Sequence, residues 1–150
     1  MTIRAVVFDM DGVLRNSKLK TAFMIYGIGI DLVKVARLKA AIERYGERFL
    51  NRVFTPREIA YCQARARGSA SAFALRFAAK EAFSKALGVG LRQNGIRWRE
   101  VEVTPNPRGK PEFSVSGRAA DLCAQAEITA MHLPLTDEND QALAVVILEK

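Results

Sequence analysis

The chain has 150 residues, 49% hydrophobic and 26% charged, which fits one globular domain with a real core. No apolar run has the length of a bilayer span, and Asp9 and Asp11 interrupt the stretch where a secretion signal would need unbroken apolar residues, so a cytoplasmic protein is expected. A formal charge of +7 calls for an acidic partner, without choosing among nucleic acid, an anionic membrane, a polyphosphate ligand and an acidic protein.

Residues 1–23 differ in character from the rest of the chain: IRAVVF reads as a short strand, DMDGVL comes next, and RNSKLK is polar and basic. A second apolar strand opens at Met24 with MIYGIGIDL, which places a boundary near Phe23. After Asp31 the apolar residues Leu38, Ile42, Tyr45 and Phe49 recur at helical steps, with Gly46 weakening the helix or dividing it in two. Thr55-Pro56 reads as a cap and first-turn proline for a helix through Cys62. The strongest helix is expected over 72–87, rich in alanine, with Gly88 as its stop. Residues 98–104 alternate as a strand, 105–111 form a turn and 112–116 return as the second half of a hairpin. A short helix over 117–126 precedes two closing strands near 129–135 and 141–148, joined by a turn at 137–140. This order predicts an α+β fold with an antiparallel sheet. Cys62 and Cys123 have neither CxxC nor metal-ligand spacing and read as two reduced thiols.

Three residues stand out chemically. Asp31 lies at the end of GIGID, whose two glycines let other groups come close to the backbone. Glu81 and Lys85, in RFAAKEAFSKALG, lie one turn apart on one helix face. A carboxylate pair with a lysine suits a magnesium–diphosphate site, because magnesium takes one or two carboxylates together with phosphate oxygens and waters. Spacing alone favours a plain surface Glu81–Lys85 pair, and Asp31 could equally be a helix N-cap. His132 is the sole histidine, which excludes a multi-histidine zinc site, and no GxSxG elbow accompanies it.

GIGIDLVKVARL, RFAAKEAFSKALGVG and MHLPLTDENDQALAVVILE, in this order, resemble the signature stretches of holo-acyl-carrier-protein synthases of the 4′-phosphopantetheinyl transferase superfamily, and the turn ending in GKP fits as well. The resemblance spans 24–150 and makes that segment the transferase domain. It implies transfer of 4′-phosphopantetheine from coenzyme A to a serine of acyl carrier protein. It further implies that Asp31 and Glu81 hold magnesium (or manganese) on the coenzyme A diphosphate and that Lys85 neutralises phosphate charge. The serine proton would go to a metal-held water or to Glu81. Arg76 and His132 would touch the nucleotide end of coenzyme A, and Gly88 and Gly90 would let the backbone approach it. Arg37, Arg44, Arg48 and Arg52, near one face if the helix continues past Gly46, would dock the acidic helix of the carrier protein. The family is commonly a homotrimer with active sites between subunits.

Three positions depart from that pattern: Lys34 replaces a usual glutamate, Val89 a common threonine, and Pro134 a serine or threonine. Proline at 134 would confine its strand to a sheet edge or a bulge. The departures raise the alternative of a slowed, carrier-binding synthase. VVFDMDGVL separately resembles the first motif of haloacid-dehalogenase-type phosphatases, with Asp9 as nucleophile and Asp11 as acid/base, but the remaining residues supply no doubly wound domain to complete that site. Residues 1–23 are therefore expected to be a poorly ordered extension. Neither nucleic acid nor membrane is expected as partner, since Trp98 and the tyrosines are not interleaved with the arginines as a stacking platform.

Overall fold

In the computed structural model of the protein, the described residues are 24–66, 68–91 and 95–150. The expected IRAVVF strand and the Asp9–Asp11 motif lie outside them. Strand β1 (Ile25–Lys34) pairs antiparallel with β6 (Gln141–Glu149), and β6 also pairs antiparallel with β4 (Ala130–His132) and β5 (Leu135–Glu138). The sheet order β1-β6-β4 leaves β1 on one edge, with β4 and β5 following one another along the other. Both keep a single register on β6, as His132 faces Ile147 and Leu135 faces Ala144. They are one strand interrupted at Leu133-Pro134, on an edge as the proline requires. A second sheet is the hairpin β2 (Val101–Pro105) and β3 (Pro111–Val115). The α+β, antiparallel expectation holds.

Helix α3 (Ser69–Ala86) forms the centre of the molecule. Its alanines at 72, 74, 78, 79, 82 and 86 are buried, and small side chains let it lie between two apolar clusters. One cluster joins it to the sheet, the hairpin and α4 (Gly117–Gln125), and the other to α1 (Val35–Val53) and α2 (Pro56–Gln63). Gly88 ends α3 as expected: it adopts φ +76°, its N–H donates to Lys85 O at 3.1 Å, and Val89 N–H donates to Ser84 O at 3.0 Å. That is the paired bonding of a Schellman stop.

The glycines of β1 fix how closely α3 approaches. A Cβ on Gly29 would sit 1.9 Å from Ala82 O, and one on Gly27 would sit 2.0 Å from Ala86 O. The group they admit is therefore the α3 backbone itself. Asp31 shares their face of β1, since alternate residues point the same way. Gly29→Ala is expected to push α3 off the strand, destabilising the fold by about 2–3 kcal/mol and lowering its melting temperature by about 10 °C. Thermal unfolding followed by circular dichroism checks this, and an unchanged midpoint would contradict the close contact.

Two details differ from the sequence expectation and two sharpen it. Asp31 is no N-cap: β1 runs on to Lys34, and Asp140 from the β5–β6 turn caps α1, accepting Val35 N–H on its carbonyl at 2.8 Å and Ala36 N–H on Oδ1 at 2.9 Å. Residues 98–100 form a single 3₁₀ turn, not strand, because the Trp98 carbonyl accepts from Lys80 Nζ at 2.9 Å while its ring stacks on Phe77 at 4.7 Å. The α2 capping box between Thr55 and Glu58 is present, but Glu58 is fully buried and does more. Its Oε2 accepts from Thr55 N–H and Lys80 Nζ, both at 2.8 Å, and its Oε1 accepts from Val103 N–H at 2.9 Å. Finally, Gly46 has φ +53° and ψ −140°, which divides α1 in two.

Both cysteines are free and buried. Burial pushes the Cys62 thiol up to about 11 against the opposing charge of Arg76, and burial also raises Cys123. Both stay protonated at neutral pH, as unreactive structural thiols do. No described helix is long and apolar enough to cross a membrane.

Candidate active site

Strand β1 and helix α3 bring Asp31, Glu81 and Lys85 together. Lys85 Nζ donates to Asp31 Oδ1 at 2.8 Å and to Ile30 O at 3.0 Å, so it bridges helix and strand. Asp31 and Glu81 line one cavity of about 540 Å³ together with Lys34, Arg37, Leu38 and Phe77. Carboxylates from two facing elements are the hard oxygen donors that magnesium accepts alongside waters and phosphate oxygens. Among the described residues, no group of three or more His, Cys, Asp or Glu side chains could hold an ion unaided. The donor set thus fits an ion that arrives with phosphate; Lys34 and Arg37 add positive charge to the cavity, and Lys85 is held beside it on Asp31.

Arg76 and His132 line a different cavity, of about 730 Å³, with Tyr61, Arg65, Lys110 and Pro134. Five residues along a helix turn a side chain by about 140°, so Arg76 and Glu81 look out from different sides of α3. Among the described residues, the two cavities share no lining residue. Buried Arg76 donates from Nη1 to Ala72 O at 3.1 Å and lies over the Tyr61 ring at 4.1 Å, while its Nε has no hydrogen-bond partner among the described residues. His132 Nε2 comes within 3.2 Å of Glu149 Oε2, close enough to pair when protonated but not aligned as a hydrogen bond. Within one chain, then, the expected nucleotide-binding pair does not share the cavity of the carboxylates.

The arginine row also changes. Because Gly46 breaks the helix, Arg37 and Arg44 belong to one segment and Arg48 and Arg52 to another, all four exposed but not on one continuous helical face. Arg37 turns to the carboxylate cavity, whereas Arg52 lines a third cavity with Arg97, Trp98 and Arg99. Of the departures from pattern, Lys34 stands at the carboxylate cavity and Val89 packs on the main core, where a methyl is better placed than a hydroxyl. Gly88 and Gly90 flank Val89 where the chain leaves α3. The Glu58–Lys80 pair and the Trp98–Phe77 stack escaped the sequence reading; the Thr55-x-x-Glu58 spacing is the signal that could have pointed to Glu58.

The sequence model of the 4′-phosphopantetheinyl transferase superfamily matches residues 27–146. The holo-[acyl-carrier-protein] synthase of Geotalea daltonii is 45% identical over 127 residues, covering 85% of this chain and 100% of that protein. The crystal structure of the holo-[acyl-carrier-protein] synthase from Neisseria meningitidis superposes with a TM-score of 0.77 at 35% identity, over 85% of this chain and 100% of that one. The Helicobacter pylori synthase in complex with coenzyme A gives 0.71 at 30% identity, over 81% and 98%. The chain belongs to the 4′-phosphopantetheinyl transferase superfamily.

Proposed function

We propose that this chain transfers 4′-phosphopantetheine from coenzyme A to a serine of apo-acyl carrier protein and acts in the cytoplasm. The observation that carries this is the meeting of Asp31, Glu81 and Lys85 across β1 and α3, in a superfamily whose name is that transfer. Asp31 and Glu81 would hold a magnesium or manganese ion. When bound, that ion supplies Lewis-acid charge to the phosphate oxygens. The serine oxygen attacks the β-phosphorus; the new O–P bond forms as the bridging P–O bond to adenosine 3′,5′-bisphosphate breaks. Lys85 neutralises charge on the departing phosphate, and Glu81 takes the serine proton directly or through solvent. Positioning and charge neutralisation carry the rate. Arg37, Arg44, Arg48 and Arg52 meet the acidic carrier protein, and residues 1–23 form an extension outside the transferase domain. Release of adenosine 3′,5′-bisphosphate that requires both coenzyme A and apo-carrier supports the reaction; release without carrier would contradict it.

The working form is a homotrimer with the site completed between subunits. Two observations support this. The outward side of edge strand β1 exposes Ile25, Ile28, Ile30 and Leu32, each more than half accessible, beside exposed Met24, and an apolar edge of this kind needs a partner. The Arg76–His132 cavity, moreover, is separate from the carboxylates within one chain. The Asp31→Asn chain and the Arg76→Ala chain, each inactive alone, are expected to regain part of the activity when assembled together, because some interfaces then carry both intact halves. No recovery in proven mixed oligomers would contradict a shared site.

A further inference from the structure

The break at Gly46 leaves the far arginine of α1 in new company. Arg52, Arg97 and Arg99 line an open cavity of about 720 Å³, with Glu100 as its one acidic residue among the described residues. None of the three guanidinium groups is in an ion pair among the described residues. Glu100 is already engaged, accepting Arg97 N–H on Oε2 at 3.0 Å. Trp98 forms part of the wall; it is only 7% exposed, and its buried indole N–H has no hydrogen-bond partner among the described residues. Three guanidinium groups without an ion pair among the described residues suit an incoming carboxylate.

We infer that this cavity is a second docking point for the carrier protein and takes one of its acidic side chains at a distance from the reacting serine. The inference rests on the transferase reading and extends it, since Arg97 and Arg99 lie outside the helix that carries the arginine row. Continuity supports a protein carboxylate as occupant: Arg52 belongs both to that row and to this cavity. All three arginines are exposed, which suits the rim of a protein interface better than an enclosed small-anion site. The cavity also adjoins the catalytic one. Trp98 stacks on Phe77, which lines the carboxylate cavity, and the Trp98 carbonyl accepts from Lys80, the neighbour of Glu81.

Steady-state kinetics of the full chain with varied apo-carrier and varied coenzyme A test this. In the Arg97→Ala/Arg99→Ala variant, KM for carrier is expected to rise about five- to thirtyfold, two exposed charge contacts being lost, with KM for coenzyme A and kcat unchanged. Arg97→Lys/Arg99→Lys should recover most of the loss, because it keeps the charges. Trp98 is the single tryptophan, so a tryptophan-free apo-carrier at saturation should shift the intrinsic emission of the unchanged protein. An unchanged KM for carrier overturns the inference, and so does a rise in KM for coenzyme A alone, which would make the cavity a polyphosphate site. Absence of turnover in the unchanged chain would sink the transferase reading instead.

Discussion

Glu81→Gln is expected to slow carrier-protein modification by about a hundred- to a thousandfold while leaving the melting temperature within a few degrees. The substitution keeps the shape of the side chain, so the α3 contacts with β1 survive. It removes one of the two carboxylate charges lining the cavity proposed to take an ion together with phosphate. A second readout separates this from a folding effect: manganese binding, followed by electron paramagnetic resonance in the presence of coenzyme A, should weaken in parallel with the rate. Asp31→Asn should do the same and also free Lys85, whose ammonium donates to the Asp31 carboxylate. A variant with the normal rate would show that the two carboxylates meet for structural reasons alone.

The second large effect concerns stability. Lys80→Met is expected to lower unfolding stability by about 3–5 kcal/mol, because it leaves the Glu58 carboxylate fully buried without its cation. The double variant Glu58→Gln/Lys80→Met should recover much of the loss, since the uncompensated charge is then gone. Denaturant unfolding of the four proteins gives the coupling directly, and additive effects would contradict the pair. The pair also predicts a pH dependence. Burial holds Lys80 below its ordinary value of 10.5, with Glu58 opposing. Between that lowered value and 10.5 the unfolded chain binds more protons than the folded one, so this residue makes stability rise with pH across the window. Lys80→Met should abolish that component.

Most of the fold was legible because its punctuation is local. Thr55-Pro56 starts a helix and Gly88 stops one, each acting within one turn of itself and each where expected. Pro134 confines its strand to an edge for a reason carried by the residue itself. What could not be read depends on partners far along the chain. The cap of α1 is Asp140, more than one hundred residues away, so Asp31 could pass for a cap until the strand was seen to continue. The alternation at 98–104 predicted a strand, but Lys80 takes the Trp98 carbonyl out of any ladder. In the site, the helical spacing of Glu81 and Lys85 was visible, whereas the strand–helix contact that sets Asp31 against Lys85 follows from two missing Cβ atoms, Gly27 and Gly29, meeting α3. The four-arginine row required a continuous helix, and Gly46 breaks it.

The most direct measurement mixes the full chain with magnesium, coenzyme A and apo-acyl carrier protein and follows the carrier by intact mass spectrometry. If Asp31, Glu81 and Lys85 perform the transfer, the carrier gains one phosphopantetheine mass, a chelator abolishes the gain, and Asp31→Asn abolishes it too. An unmodified carrier in the complete mixture, or undiminished modification by the Asp31→Asn chain, would contradict that assignment.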